Sequence, residues 1–103
     1  MMSDVTTIEG GWEEEKITDL KEALVNQFFD ECKGTKEYLE LSEMAGNKYP
    51  NTPYAQILRD IAKEEHVHKN HIKEILKDMC VTFTDEMDKA DTEAETAFKD
   101  SFR

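Results

Sequence analysis

Three residues of this sequence, Glu31, Glu65 and His68, have the side chains and spacing of metal ligands. Glu65 and His68 form a Glu-x-x-His pair, whose members share one side of a helix because positions three residues apart are neighbours there. A charged group on an apolar helix face must be paired with another group or desolvated at a large free-energy cost. The pair interrupts such a face, a stripe with alternating four- and three-residue steps: Tyr54, Leu58, Ile61, Glu65, His68, Ile72, Ile75 and Met79.

A second apolar stripe contains a similar interruption. Glu31 lies in its middle, and neither stripe contains Lys or Arg. Two carboxylates and an imidazole that meet in a low-dielectric interior are commonly neutralised by a divalent cation. We therefore predict a metal site with Glu31, Glu65 and His68 as ligands. The residues of the second stripe are Leu20, Leu24, Gln27, Glu31, Gly34, Tyr38, Leu41 and Ala45.

The first of two long helices must position Glu31. Apolar spacing predicts this helix from Ile17 to Ala45, and Gly46-Asn47 supplies a C-terminal stop. Gly34 lies inside it. This glycine either weakens the helix by about 1 kcal/mol or lets another backbone approach closely.

The second long helix must position the Glu-x-x-His pair. Thr52 followed by Pro53 predicts its start, as cap and first turn, and its apolar pattern runs to about Met79. Because only residues 46–52 connect the two helices, we expect an antiparallel hairpin. Each predicted glutamate ligand then lies about four helical turns from the connection, so the two carboxylates should be level.

The chain divides into three predicted segments. Residues 1–16 are predicted to be a mobile acidic arm, residues 17–79 a helical hairpin, and residues 82–103 a short amphipathic helix. Di-iron bundles use one Glu from each of two helices and a Glu-x-x-His from each of the other two, and this chain supplies half of that set. The predicted fold class is all-α: a two-helix hairpin plus a short C-terminal helix, completed to a four-helix bundle by homodimerisation.

Composition excludes several classes of partner. The formal net charge is −11, so nucleic acid and anionic membrane surfaces are repelled. No apolar run approaches the roughly 18 residues of a membrane span, and residues 1–11 do not resemble a signal peptide. Cys32 and Cys80 are too few for a disulfide framework. These features favour a cytoplasmic protein.

The ligand pattern resembles a known one. Glu31 followed seven residues later by Tyr38, and then IAKEEHVH with its Glu-x-x-His, is similar to the half-motif of rubrerythrins and ferritin-like proteins over roughly residues 20–79. The likeness is strongest to encapsulated ferritin-like proteins, whose chains carry the motif once. It implies that Glu31 and Glu65 bridge or chelate the metals and that His68 is a terminal ligand. Tyr38 would be a catalytic-site residue near the metals, either a weak ligand or a residue just behind the ligands.

This resemblance implies a ferroxidase: a di-iron oxidoreductase that oxidises Fe(II) with dioxygen at a site shared between two subunits, for iron storage or detoxification. Mn and Zn are alternative metals. It also implies a homo-oligomer, either a dimer or a ring of dimers, inside an encapsulin shell in the cytoplasm. The connection is longer than in encapsulated ferritins, and the C-terminal AFKDSFR differs from a cargo-loading tail. Without a Cys-x-x-Cys pair, we expect no rubredoxin-like domain.

Three other interpretations of the ligand residues are open. Glu65 could point outward beside Glu64, which would leave His68 without a metal. A second cluster, Glu64, His68 and His71, shares one helical face and could hold zinc at a contact between subunits. In a non-catalytic, self-associating helical module, Glu31, Glu65 and His68 would instead fix the register of the helices.

Three further polar residues have simpler interpretations. Asp30 and Glu37 flank the ligand of the first helix and either guide cations towards it or are solvated surface carboxylates. His66 lies off both ligand faces, which indicates a solvent-facing side chain.

Overall fold

A computed structural model describes the backbone of residues 10–102 and the side chains of residues 18–102. Within residues 10–102 the chain forms three α-helices and no strand: α1 (Gly10–Lys48), α2 (Tyr54–Asp78) and α3 (Asp85–Ser101). The predicted all-helical class is therefore confirmed. None of these described helices is long and apolar enough to cross a membrane.

Helix α1 begins earlier than its apolar pattern predicts. Part of the predicted arm, residues 1–9, lies outside the described residues, whereas residues 10–16 are helical. The residue types explain the early start, because Glu is a good helix former and acidic groups are favourable near the positive end of the helix dipole. The helix begins at the Gly10-Gly11 pair, inside the segment predicted to be an arm.

Helix α1 also ends later than predicted. It continues through Gly46-Asn47 to Lys48, and the Tyr49 N–H still donates to the Ala45 carbonyl at 2.8 Å. The residue before a proline avoids helical backbone angles, so Pro50 prevents the helix from continuing past Tyr49. Proline, rather than glycine, therefore sets this end of the hairpin.

Thr52 stabilises the connection instead of capping α2. Its hydroxyl donates to the Tyr49 carbonyl at 2.7 Å, and the backbone N–H of Tyr54 lies 3.4 Å from the hydroxyl oxygen. Pro53 occupies the cap position of α2, with no side-chain hydrogen bond. The hydrogen bonds of Thr52 therefore stabilise the connecting loop, and α2 starts without the predicted side-chain cap.

The start of α3 is defined by a turn and a capping side chain. Cys80, just after α2, has a φ of 60°, a left-handed conformation that turns the chain at many helix ends. Thr84 caps α3, and its hydroxyl accepts a hydrogen bond from the Met87 N–H at 3.2 Å. Acidic residues in the first turn of α3 stabilise the helix, because they lie at the positive end of its dipole. They are Asp85, Glu86 and Asp88.

Helices α1 and α2 form an antiparallel hairpin, as the short connection predicts. Near the connection, a Cβ atom built on Gly46 would lie 3.6 Å from Ala55. Further along, a Cβ atom built on Gly34 would lie 2.6 Å from the Glu65 carboxylate. Residue numbers therefore fall along α1 as they rise along α2.

Helix α3 packs along one side of this hairpin. It encloses a small core in which the rings of Phe28 and Phe83 meet edge to face, with centroids 5.4 Å apart. The buried members of the core come from all three helices, so α3 belongs to the folded unit. They are Phe28, Cys32, Leu76, Met87 and Ala94.

Ion pairs attach α3 to α2. The fully buried Lys69 places its Nζ 2.6 Å from Asp91 Oδ1 and 2.5 Å from Glu95 Oε2. Lys73 Nζ lies 2.5 Å from the other Asp91 oxygen. Burial opposes these charges, but the hydrogen bonds outweigh it, so the pKa of Lys69 is raised and the pKa values of Asp91 and Glu95 are lowered. All three groups therefore stay charged at neutral pH.

The two apolar stripes are only partly covered within one chain. The buried residues of α2 are Ala62, Lys69 and Leu76, which form a neighbouring line. Four stripe residues, two on each helix, are about half exposed: Leu20 at 50%, Leu41 at 43%, Tyr54 at 50% and Ile75 at 45%. A single chain thus leaves part of the face formed by the stripes without a packing partner.

Candidate metal centre

The antiparallel hairpin brings together the three residues with ligand spacing. Glu31 comes from the middle of α1, and Glu65 and His68 come from adjacent turns of α2. One donor atom from each of the three lies within 4.8 Å of the others. Two carboxylate oxygens and an imidazole nitrogen therefore surround a space of the size that one metal ion needs.

Glu31 has a buried oxygen atom without a hydrogen bond. The residue is 7% exposed, and its Oε2 accepts a hydrogen bond from Gln27 Nε2 at 2.7 Å. With both glutamates ionised, its Oε1 is buried and has no hydrogen-bond partner among the described residues; His68 Nδ1 is 3.5 Å away. A buried acceptor left unpaired is unfavourable by about 1–3 kcal/mol, and by more if it is charged. A cation bound at Oε1 would remove this penalty.

Burial and the adjacent Glu31 carboxylate raise the pKa of Glu65 to about 7, although His68 acts to lower it. Without a cation, Glu65 beside the Glu31 carboxylate is not ionised easily, so it keeps a proton up to about pH 7. A divalent ion stabilises both negative charges and would replace that proton. The electrostatics of the pair therefore fit a metal site.

Gly34 provides the space for the Glu65 carboxylate. A Cβ atom at position 34 would lie 2.6 Å from Glu65 Oε1, which is closer than non-bonded atoms approach. Of the two interpretations of this glycine, close approach is the one that applies, but the approaching group is a carboxylate rather than a backbone. The glycine therefore allows Glu65 to lie between the helices and reach Glu31.

The open side of the centre is formed by His68. Its side chain is 55% exposed, whereas that of Glu31 is 10% exposed. Tyr38 lies on α1 and is partly buried. Two helical turns, or about 10 Å along the axis, separate it from Glu31, so its role close to the metals is still a prediction.

The alternative zinc cluster is not assembled. Glu64 and His71 are exposed, and among the residues with described side chains no group of three potential ligands other than Glu31, Glu65 and His68 comes as close together. Asp30 and Glu37 are also exposed, and Glu37 lies 3.8 Å from Lys33. These carboxylates have the surroundings of ordinary surface residues.

The interpretation of His66 as a solvent-facing residue is wrong. Its side chain is 15% exposed, its Nε2 lies 2.8 Å from Glu95 Oε2, and its ring stacks on Phe98 with centroids 3.8 Å apart. The spacing of α2 alone does not reveal this burial, because both partners of His66, Glu95 and Phe98, come from α3. His66 therefore belongs to the contact between α2 and α3, away from the ligand face.

Gln27 stands in the first stripe one turn before Glu31, and the apolar pattern alone gives it no functional role. Polar side chains four residues apart on a helix commonly pair, and this spacing is the signal that could have identified it. The hydrogen bond from Gln27 to Glu31 makes it part of the centre.

The donors match hard or borderline divalent metals such as Fe, Mn and Zn, for which carboxylate and imidazole are suitable ligands. One Glu on one helix and a Glu-x-x-His on the next are half of the ligand set of a di-iron bundle. The three donors therefore fit iron, and their number fits half of a two-metal site.

The comparison with protein families gives the same result. The rubrerythrin family model matches residues 22–103 and thus extends through α3, beyond the roughly 20–79 over which the motif resemblance holds. No curated protein and no solved structure matches the chain. Rubrerythrin-type proteins bind iron and are often di-iron oxidoreductases, so the match indicates a di-iron ferritin-like protein. Together with its ligand geometry, the match over most of its length shows that the chain belongs to the rubrerythrin family of the ferritin-like superfamily.

Proposed function

We propose that this protein is a ferroxidase, which oxidises Fe(II) with dioxygen at a di-iron site shared between two subunits. The observation that carries the proposal is the buried, unpaired Oε1 of Glu31, a residue with a donor atom within 4.8 Å of donors from Glu65 and His68. A protein core does not usually leave such an atom unpaired unless a ligand completes it. The cellular role that we propose is iron storage or detoxification.

A shared site follows from the number of ligands and from the uncovered face. One chain offers two carboxylates and one imidazole, whereas a di-iron bundle uses four carboxylates and two imidazoles. The stripes that carry these ligands are partly exposed in the single chain, as Tyr54 at 50% and Ile75 at 45% illustrate. A second copy related by a two-fold axis would cover this face and add the missing half of the ligands.

Each ligand has a distinct task in this proposal. Glu31 and Glu65 supply the negative charge that stabilises the higher oxidation state of iron, because carboxylates are hard ligands. Glu65, whose pKa is about 7, releases its proton when a cation binds. His68 adds a neutral donor, and Tyr38 is proposed to lie close to the completed site.

The redox chemistry comes from iron and dioxygen. Two Fe(II) ions each give up one electron, and dioxygen takes up both electrons with two protons, which leaves two Fe(III) ions and hydrogen peroxide. The protein contributes the placement of the two ions and the charge that favours Fe(III).

We further propose that the chain is of the encapsulated ferritin type and forms a dimer or a ring of dimers. One two-helix half per chain supports this subtype, because it provides half of a di-iron ligand set. In that arrangement an encapsulin shell in the cytoplasm would hold the ferric product.

The alternative function is a non-catalytic helical module that self-associates. The exposed stripe favours self-association whether or not a metal binds. A zinc- or manganese-binding protein with the same fold is a variant of the first proposal. The metal content and the mass of the assembly distinguish these possibilities.

The test is an anaerobic Fe(II) titration of metal-free protein, with the mass followed by light scattering, and then admission of air with absorbance recorded. We expect saturation at about one iron per chain, an even-numbered assembly and a ferric absorbance. Glu65→Ala and His68→Ala should abolish oxidation with helicity nearly intact.

Matched controls come from the neighbouring exposed residues. Glu64→Ala and His71→Ala change the same residue types on α2 outside the proposed ligand set, so they should oxidise iron at the wild-type rate. Loss of binding in these two variants with normal binding in Glu65→Ala would favour the zinc cluster. Absence of metal binding in the wild type would leave the interaction module as the function.

A further inference from the structure

The Glu31 carboxylate is held by Gln27, which is not itself one of the three donors. Gln27 lies one helical turn before Glu31 on α1, and its Nε2 donates to Glu31 Oε2 at 2.7 Å. The Gln27 side chain is on the exposed part of the stripe, whereas Glu31 is buried. A surface amide therefore reaches inward to one oxygen of a buried acid.

This hydrogen bond makes the two oxygens of Glu31 unequal. Oε2 is occupied by the amide proton. Oε1 has no hydrogen-bond partner among the described residues and lies on the side of His68, 3.5 Å from its Nδ1. The free lone pairs of the carboxylate are thus concentrated on Oε1, the atom near His68.

The chemistry of the amide suits this task. A Lys or Arg at position 27 would neutralise Glu31 and compete with a cation for its charge. An amide donates a hydrogen bond without carrying charge, so the negative charge remains available to a metal. Groups that hydrogen-bond to metal ligands from outside orient them and tune their affinity.

We propose that Gln27 is a positioning residue, which restricts Glu31 to binding a metal through Oε1 alone. The inference rests on the proposed function, since it requires a metal at Glu31. When Gln27 is removed, Oε2 becomes free, and the carboxylate can rotate or bind the metal through both oxygens. The coordination of the metal and its affinity should then both change.

The test is a Co(II) titration of the full-length protein, wild type and Gln27→Leu, with visible absorbance as the readout. Co(II) reports its own coordination, because its visible bands weaken as the coordination number rises. For Gln27→Leu we expect affinity weaker by about tenfold and weaker bands per bound Co(II) at saturation. Gln27→Ala is the second variant, in case the added leucine causes association.

The chain contains a matched control for this substitution. Gln56 Nε2 donates to Asp60 Oδ1 at 2.8 Å, which is the same four-residue pair on an exposed part of α2. Gln56→Leu should keep the wild-type affinity and spectrum. Circular dichroism of all variants shows whether a spectral change comes from the metal site or from a loss of helix.

The outcomes separate the inference from the function on which it rests. If wild-type protein binds Co(II) and both Gln27 variants match it in affinity and spectrum, the positioning role is overturned while the metal site stands. If wild-type protein binds no Co(II), the site itself is overturned and the role of Gln27 with it. Weaker bands in the Gln27 variants, with Gln56→Leu unchanged, support the inference.

Discussion

Glu65 is the residue whose protonation is most strongly altered by the site. Burial and the Glu31 carboxylate raise its pKa to about 7 from an ordinary 4.5. A metal must displace that proton, because only the ionised carboxylate is a good ligand. In the metal-free protein the same proton relieves the repulsion between the two acids.

We predict that metal affinity rises with pH up to about 7 and then levels off, since Glu65 is then already ionised. The measurement is Mn(II) binding by calorimetry in buffers of different ionisation enthalpy, which also counts the protons released. Proton release at weakly acid pH that disappears at alkaline pH is the expected pattern. Equal release at both would contradict the role of Glu65.

The raised pKa of Glu65 also predicts how the stability of the metal-free protein depends on pH. Its folded-state pKa of about 7 exceeds the unfolded value near 4.5, so the folded state binds more protons between these values. The contribution of Glu65 to the unfolding free energy is therefore fully present below about 4.5 and is lost as pH rises to about 7.

Glu65→Gln removes this contribution, because the amide does not titrate. Asp91 and Glu95 have lowered pKa values and the opposite pH dependence, so the wild type alone does not isolate Glu65. We expect the melting temperature of Glu65→Gln relative to wild type to increase from pH 4.5 to pH 7. A difference that is constant with pH would mean that Glu65 titrates normally.

Gly34→Ala separates folding from metal binding. Alanine raises helix propensity by up to about 1 kcal/mol. Its Cβ would lie 2.6 Å from Glu65 Oε1, but that atom is at the end of a flexible side chain and can swing away. We therefore expect equal or higher stability to urea together with weaker metal binding.

Gly46→Ala is the control for that substitution, because it makes the same change in the same helix. A Cβ at position 46 would meet Ala55 at 3.6 Å, an ordinary contact. This variant should gain stability without any loss of metal affinity. If both alanine variants bind metal like the wild type, Gly34 does not make room for the ligand.

At the residue scale, the sequence was enough to predict which three residues come together, whereas their role as metal ligands stays a prediction. Apolar stripes are interrupted at Glu31, Glu65 and His68. An antiparallel hairpin brings together residues that lie at equal distances from its connection. The parts played by Gln27 and Gly34 depend on side-chain rotamers and on distances of a few ångströms. Periodicity contains no information of that kind.

At the scale of elements, α3 is attached to the hairpin by buried charges. Lys69 is fully buried between Asp91 and Glu95, and these carboxylates are its direct partners. The charges balance only while α3 stays in place. If one partner of a buried pair is removed, the other is left as an uncompensated charge in a low dielectric.

Lys69→Ala should therefore lower the unfolding free energy by about 3–5 kcal/mol. Urea denaturation followed by circular dichroism measures this change. Lys36→Ala is the control, because Lys36 also pairs with an α3 carboxylate, Glu93, at 3.0 Å, but both side chains are at least 40% exposed. Lys36→Ala should lower the unfolding free energy by at most about 1 kcal/mol. Equal effects of the two substitutions would show that the burial of Lys69 adds nothing to stability.

Sequence patterns predicted the hairpin better than the position of α3. The connection of a few residues leaves α1 and α2 little choice but to pack side by side, and both carry long apolar stripes. In contrast, Lys69, Asp91 and Glu95 resemble solvated surface residues in a chain in which 36% of residues are charged. Only their three-dimensional pairing shows that they are part of a buried contact.

At the scale of the whole molecule, the chain is a flat body. Its Cα atoms extend over 59 × 32 × 16 Å, and the Cα atoms of one helix span about 4.6 Å across its axis, so the thin direction has room for two layers of helices. Two layers cannot cover both faces of the hairpin. Helix α3 covers one side, and part of the stripes stays exposed.

We predict that Ile75→Asp, on the exposed stripe of α2, prevents association and removes metal binding at micromolar concentration. Ile75 is 45% exposed in the single chain, so the chain itself should fold normally. In a two-fold symmetric dimer each substitution occurs twice, and each new carboxylate would be buried against apolar residues. Light scattering and Fe(II) titration of the same samples measure both effects.

Val67→Asp makes the same kind of change on α2 at a position outside the stripe, and Val67 is similarly exposed, at 48%. This control should keep both the assembly and the metal. If Ile75→Asp is monomeric but binds iron with wild-type affinity, one chain is sufficient for the site and the shared centre is wrong. If association and iron binding are lost together only in Ile75→Asp, the second copy supplies what the flat single chain lacks: a cover for the stripe and the other half of the ligands.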